Sequence, residues 1–248
     1  NPLADPQLLA IGPGAAVGAV LAMLIFESTP LPAVVGGSIG ALVTAAVLER
    51  IADRSAADPA RLVLIGVALG AVLTAVVGLA VLAADRAGIP SVDFWILGSL
   101  AGATLRAIIV ATPLVAIGMA LVASSARALD LLALGESEAR HLGVDVDAVR
   151  RRTMAGTALV VGAAVGVAGV IGFVGLLIPH LMRRWVGPSH AWLIAASALG
   201  GAIFLAVTDL LARTVASPVE IPVGLVTTVV GGPFFLWLLA RSGRGGVS

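Results

Sequence analysis

Long apolar stretches alternate with short polar segments along most of the chain. About 20 apolar residues, each adding about 1.5 Å to a helix, cross a hydrocarbon core of about 30 Å. Seven stretches reach or nearly reach that length: residues 8–26, 33–48, 62–84, 104–124, 153–171, 191–208 and 221–240. The pattern predicts an all-α, polytopic membrane helical bundle, which we treat as a single transmembrane domain over residues 1–248.

An eighth, shorter apolar segment covers residues 172–186, contains Pro179 and ends in Arg183 and Arg184. Cytoplasmic loops are enriched in basic residues, so the arginines decide whether this segment crosses. If it does, all but three of the fifteen arginines are cytoplasmic. The three outside are Arg86, Arg106 and Arg213. We therefore expect eight crossings with both visible ends inside, and we expect neighbouring helices to surround the proline-containing segment.

The composition excludes a soluble globular domain. Of 248 residues, 59% are hydrophobic and only 12% are charged, and the mean hydropathy is +1.10. The chain has no cysteine and no lysine, so it can form neither a thiolate metal site nor the lysine of a phosphate-binding loop. If ATP drives this protein, a partner binds the ATP and its Mg²⁺. We expect no cofactor, metal or nucleic acid on this chain.

Glycines recur four residues apart within the predicted spans. Small residues at this spacing let membrane helices approach closely, so the pairs predict tight helix packing. The pairs are Gly14/Gly18, Gly36/Gly40, Gly66/Gly70, Gly98/Gly102 and Gly162/Gly166.

Charged residues are scarce inside the predicted spans. The acidic residues lie only at the ends of the spans or in the loops between them. An ion-coupled secondary carrier usually needs buried carboxylates or histidines, so this alternative has little support. His180 is the one titratable residue inside a predicted crossing; it could be a ligand, but a lone histidine more often serves packing. His141 and His190 are expected in loops, in contact with solvent. No nucleophile with a base is apparent, so we expect no enzyme activity.

The longest predicted cytoplasmic segment covers residues 126–150 and is here called the coupling segment. Its pattern predicts two short helices, the first stopped by Gly135 and the second closed by Gly143, followed by an N-cap at Asp145 or Asp147. Helices this short are unstable alone in water. Their apolar residues must dock either on a partner protein or on the chain's own bundle, and the sequence leaves both possibilities open.

Five motifs in the same order resemble the FecCD/BtuC-like permease family of ATP-binding-cassette (ABC) importers, and together they cover essentially the whole chain. They are residues 1–9 (NPLADPQLL), 95–100 (WILGSL), 134–143 (LGESEARHLG), 172–183 (GFVGLLIPHLMR) and 220–235 (EIPVGLVTTVVGGPFF). The family pattern has ten spans, so the resemblance implies that spans three to ten are present and that two N-terminal spans are missing here. One departure is local: residues 10–14 are AIGPG where the family usually has GISSG.

The resemblance implies a permease subunit that translocates a ferric siderophore or haem across the bacterial inner membrane, with cobalamin as the alternative. It also implies a second permease copy, an ABC ATPase that carries ATP and Mg²⁺, and a periplasmic or lipoprotein substrate-binding protein. Surrounding lipid is the remaining partner. A membrane scaffold without transport is a further possibility from another functional class.

The family's functional positions can be carried over only where the motifs match. The resemblance implies that the ATPase contacts Leu134, Gly135, Glu136, Ala139, Arg140 and Gly143. Arg213, with Asp209 four residues earlier, would dock the binding protein, although a local ion pair or interfacial snorkelling explains Arg213 equally well. The weaker candidates for lining the pathway are Asp93, Trp95 and His180, and Trp95 is at least as compatible with an interfacial anchor.

Overall fold

The computed structural model describes residues 10–26, 30–53, 59–86, 92–215 and 220–242. Within these ranges the chain forms eleven helices and no strand. The helices are α1 (Ile11–Ile25), α2 (Pro30–Asp53), α3 (Pro59–Arg86), α4 (Val92–Ile96), α5 (Leu105–Ser124), α6 (Ala126–Leu132), α7 (Glu136–His141), α8 (Val146–Ala168), α9 (Val174–Val186), α10 (His190–Val215) and α11 (Val223–Ser242). The all-α prediction is confirmed.

Each of the eight predicted spans corresponds to one helix of 13 to 28 residues, while α4, α6 and α7, of five to seven residues, are connecting helices. In the described ranges, four helical segments are long and apolar enough to cross a membrane: Leu31–Ile51, Val63–Ala84, Leu105–Ser124 and His190–Val215. Two shorter apolar segments are Ile11–Ile25 and Val223–Phe234. Length and composition therefore identify a polytopic bundle. They do not decide whether α8 and α9 also cross the membrane, which depends on where these two helices begin and end.

Helix α8 begins at Val146, before the apolar stretch that starts at residue 153, and of the two predicted caps, Asp145 and Asp147, the structure confirms Asp145. The side chain of Asp145 accepts a hydrogen bond from the backbone N–H of Ala148 at 3.0 Å, which satisfies one of the free donors of the first turn. This cap lets the helix extend through the three arginines at 150–152. Because these three residues are charged, hydropathy alone assigns them to the loop before the span.

The centre of the bundle is formed where α1 packs against α2 and α8 lies across α2. Glycines make both contacts: a methyl group at Gly18 would overlap the carbonyl oxygen of Gly36, and one at Gly162 would lie 2.7 Å from the carbonyl oxygen of Gly37. The predicted role of the four-residue glycine spacing is confirmed for these helices. It is wrong for Gly102, around which nothing lies within 4 Å.

A second group of helices is formed by α9, α10 and α11. Gly200 of α10 lies against Ile178 and Met182 of α9, and Gly231 of α11 lies against Phe173. The expectation that residues 172–186 are surrounded by other helices holds for one face only. Leu177 and Ile178 are buried, whereas Trp185 is 84% exposed. One apolar face is enough to pack this short helix on α10, and its basic end projects outward.

The two groups of helices meet at a junction of backbone segments. The N–H of Ser99 donates to the carbonyl of Ala168 at 2.8 Å, and the N–H of Gly224 donates to the carbonyl of Gly98 at 3.0 Å. Gly98 and Gly169 both have positive φ, 78° and 70°, which side chains disfavour. The loop after α4 therefore joins the end of α8 to the start of α11.

Candidate functional site

The coupling segment folds into the two predicted short helices, α6 and α7. The turn between them is closed by hydrogen bonds from the N–H of Leu134 to the carbonyl of Leu131 and from the N–H of Gly135 to the carbonyl of Leu132, each 3.1 Å. Gly135 has φ of 127° and Gly143 has φ of 84°, both in the region that favours glycine. Both predicted glycine stops are therefore confirmed as backbone requirements.

Charged side chains fix α7 to the start of α8. Arg140 donates to Glu136 at 3.0 Å and lies 3.6 Å from Asp147, which in turn lies 3.4 Å from Arg150. The hydrogen bond that Arg140 donates to Glu136 is the main cause that raises the pKa of Arg140 above its usual value. These pairs are exposed and individually weak, but together they orient α7 on α8.

The six predicted coupling residues divide by exposure. Ala139 is fully buried, and its carbonyl accepts a hydrogen bond from the N–H of Val144 at 3.0 Å. Leu134 is 67% exposed, and Glu136 and Arg140 are exposed beside it. Leu134 and the Glu136–Arg140 pair thus form the outer surface of the segment, and Ala139 supports that surface from within. The prediction that they contact an ATPase stays a prediction.

Sequence reasoning missed one polar contact of the coupling segment. The carboxylate Oδ1 of Asp130, on α6, accepts a hydrogen bond from the backbone N–H of His190 at 2.8 Å and lies 2.6 Å from Nδ1 of the same histidine. The expectation that His190 is a solvated loop residue is wrong, because it is the first residue of α10 and is half-buried. The two positions are 60 residues apart, so no local spacing could reveal the pair.

The environment of Asp130 favours its ionised form. The hydrogen bond from the backbone N–H of His190, followed by that from its side chain, lowers the pKa of the Asp130 carboxyl below its usual value. A carboxylate placed before the first turn of a helix also meets the positive end of the helix dipole. Asp130 is therefore a charged cap on α10 that is supplied by another element of the fold.

At the opposite end of α10, Arg213 pairs with Asp209. Its Nε donates to Oδ2 of Asp209 at 2.8 Å, and the arginine side chain is 44% exposed. The local ion pair considered from the sequence is therefore present. It leaves the arginine accessible, so docking of a binding protein stays a prediction.

The three candidates for the pathway are not equivalent. Trp95 is half-buried and packs against the core cluster that contains Ile11 and Ala15, which is unlike an interfacial anchor. His180 lies edge-on to Phe234, with ring centroids 6.1 Å apart, and its Nε2 is buried without a hydrogen-bond partner in the described part of the chain. The side chain of Asp93 lies outside the described residues. Among those residues, no group of three or more His, Cys, Asp or Glu side chains could hold a metal ion.

The chain is similar to known transport proteins over nearly all its length. Residues 1–241 match the model of the FecCD transport family. The hemin transport system permease protein HmuU of Yersinia pestis is 42% identical over 97% of this chain and 74% of its own length. The cobalamin import system permease protein BtuC of Halobacterium salinarum is 40% identical over 96% of this chain and 64% of its own length.

Two further similar proteins are also transport proteins. The Fe(3+) dicitrate transport system permease protein FecD of Escherichia coli is 37% identical over 97% of this chain and 75% of its own length. A solved structure of a metal-chelate type ABC transporter in an inward-facing conformation superposes with a TM-score of 0.85 at 29% identity, over 97% of this chain and 77% of that one. The chain thus spans about two thirds to three quarters of the length of these proteins.

Proposed function

Because the chain belongs to the FecCD transport family, we propose that it is the permease subunit of an ABC importer that translocates an iron chelate, a ferric siderophore or haem, across the bacterial inner membrane. The observation that carries this proposal is the family match over residues 1–241. The exposed surface of the coupling segment supports it, because that surface has no cover within the described chain.

The energy for transport comes from a partner. The sequence has no lysine for a phosphate-binding loop, so we assign ATP and Mg²⁺ to a separate ATPase subunit and no cofactor to this chain. Leu134 offers an apolar contact, and the Glu136–Arg140 pair beside it offers a polar rim. An apolar centre with a polar rim is the usual composition of a protein interface.

The outer face would receive a substrate-binding protein, periplasmic or lipid-anchored, at Arg213. Its guanidinium is oriented by Asp209 and is still partly exposed, so it can donate further hydrogen bonds to a carboxylate of a partner. A second permease copy, as the family resemblance implies, would complete the pathway. The exposed apolar side chains of α3 and α10, including Leu79, Leu199 and Ile203, are suited to contact with that copy or with lipid. The faces that the second copy leaves free would contact lipid.

The substrate class follows from the relatives. HmuU and FecD are described by their names as permeases for hemin and ferric dicitrate, both of them iron complexes. Cobalamin is the second candidate, because two BtuC permeases are 40% and 39% identical to this chain. Uptake of haem and of cobalamin by proteoliposomes that contain the full importer would separate the two candidates.

The first experiment is affinity purification of the full-length protein in gentle detergent, followed by identification of the proteins that accompany it. The parent should bring down an ATPase, whereas Gly135→Pro and Glu136→Arg should not. The proline is incompatible with φ of 127°, and the arginine replaces an ion pair by repulsion of Arg140.

The matched control is Ser137→Ala, an exposed change on the same short helix that should keep the ATPase. Absence of any ATPase with a well-folded parent would contradict the importer assignment, and an ion-coupled carrier would then be tested next. Retention of the ATPase by both loop variants would contradict the coupling site alone.

A further inference from the structure

We infer that Asp130 and His190 are positioning residues that fix the start of α10 to α6, so that α10 follows the coupling segment when an ATPase moves it. The source of that motion rests on the proposed function. The contact itself is a property of the folded chain and can be tested without it.

A single oxygen makes the connection. Oδ1 of Asp130 accepts the backbone N–H of His190 at 2.8 Å and faces its ring Nδ1 at 2.6 Å. Hydrogen bonds to a carboxylate are shorter and stronger than neutral ones. The aspartate side chain is 39% exposed and the histidine side chain 23%, so the pair is partly shielded from water and from screening by salt.

On the α10 side, the contact holds a helix end that has little other support. His190 is the first residue of α10, so its N–H has no partner within the helix. Gly187, with φ of 78°, donates to the carbonyl of Arg183 and ends α9 just before. Because so few residues separate the two helices, a displacement of the start of α10 also displaces the end of α9.

On the α6 side, the contact is close to the exposed surface of the coupling segment. Asp130 lies one helical turn before Leu134, and the intervening turn is closed by the hydrogen bonds of Leu134 and Gly135. The start of α6 is anchored by the buried residues Ser125 and Ala126. A displacement of Leu134 by a partner therefore also displaces Asp130, because a short, hydrogen-bonded segment connects the two residues.

Helix α10 is 26 residues long, about 39 Å, and its last two turns carry the pair of Asp209 and Arg213. It is thus a rigid element whose inner end is attached to α6 and whose outer end carries the proposed docking arginine. The geometry makes α10 a direct mechanical link between the two faces of the bundle, and Asp130 and His190 are its inner attachment.

The first test measures the distance between α6 and α10. Arg127→Cys and Trp192→Cys, both at exposed positions, give the two sites for spin labels in a complex whose other cysteines have been replaced by serine. The labelled permease is diluted with an excess of unlabelled permease, so that each complex carries at most one labelled copy. The full-length complex with its ATPase is then studied in nanodiscs by double electron–electron resonance, without nucleotide and with ATP and vanadate. The expected result is one narrow distance that is the same in both states, since the labelled ends move together.

Asp130→Ala in the labelled protein should broaden that distance or make it depend on nucleotide. Asp130→Asn should restore the parent result, because the amide oxygen still accepts the backbone N–H of His190. Arg151→Ala, an exposed change of charge on α8, is the control and should behave as the parent. His190→Pro removes both the ring and the backbone N–H that Asp130 binds, and proline is tolerated at the first position of a helix, so this variant serves as a second probe if Asp130→Ala fails to fold.

The second test measures haem uptake per ATP hydrolysed in proteoliposomes. Loss of the attachment should lower this ratio at least about fivefold in Asp130→Ala while ATP hydrolysis continues, and Asp130→Asn should recover it. Unchanged distances in both nucleotide states for Asp130→Ala, or for His190→Pro if the first is unfolded, would overturn the inference. A parent that binds no ATPase would instead overturn the proposed function, and the nucleotide-free distances would still decide whether Asp130 holds α10.

Discussion

At the scale of single residues, glycines decide how closely the helices of the centre approach. Gly18 of α1 and Gly36 of α2 face each other so closely that a methyl group on either would overlap the backbone of the other. Gly78 of α3, in contrast, has nothing within 4 Å of the place where a methyl group would be. Two glycines in similar apolar helices therefore have different roles.

Gly18→Ala should destabilise the bundle by about 1–3 kcal/mol, because α1 and α2 must separate to admit the added carbon. Gly78→Ala should be neutral or slightly stabilising, since alanine is the better helix former by about 1 kcal/mol. Thermal unfolding of the purified variants in detergent, followed by size-exclusion fluorescence, measures the difference. Equal melting temperatures for the two variants would contradict the assigned contact.

The sequence predicted part of this residue-scale structure. The spacing of Gly14, Gly18, Gly36 and Gly40 indicated packing faces, because spacing along one helix determines which residues share a face. It could not indicate which faces meet, and Gly102 has the same spacing from Gly98 without a close neighbour. The pair of Asp130 and His190 was beyond sequence reasoning for the same reason: it depends on the packing of two distant helices.

At the scale of elements, capping residues predict where a helix starts better than the apolar pattern does. The apolar stretch of α8 begins only at residue 153, whereas the cap predicted at Asp145 or Asp147 is made by Asp145 and starts the helix at Val146. The three arginines of 150–152 then lie on a helix, where long side chains can reach solvent from its surface. Hydrophobic periodicity locates the middle of a membrane helix, whereas caps and ion pairs determine where it begins.

Asp145→Ala should therefore fray the first turn of α8 and loosen the attachment of α7. The expected loss is about 1 kcal/mol, or about a fivefold faster hydrogen exchange of the amides at the start of the helix. Asp145→Asn keeps the acceptor and should exchange as the parent does. Hydrogen–deuterium exchange with mass spectrometry measures both, and identical exchange in Asp145→Ala would show that the Arg140–Asp147 and Arg150–Asp147 pairs suffice.

At the scale of the whole molecule, the contact of Asp130 with His190 also bears on the number of crossings. The start of α10 lies beside α6 and therefore on the side of the membrane that holds the coupling segment. Helix α8 leaves that side, so α9 must return to it. Its 13 residues span only about 20 Å, and the non-helical residues 169–173 supply part of the remaining depth.

If α9 returns to the inner side, single cysteines should differ in accessibility when they are placed in a full-length protein whose other cysteines have been replaced. In spheroplasts, a membrane-impermeant maleimide should label Gly102→Cys from outside, whereas Leu134→Cys and Ser189→Cys should react only after the membrane is opened. With seven crossings, Ser189→Cys would instead react from outside, because α9 would remain on the outer face. Labelling of Ser189→Cys in sealed cells would thus contradict both the return of α9 and the contact of α10 with α6, since a residue next to His190 cannot lie across the membrane from Asp130.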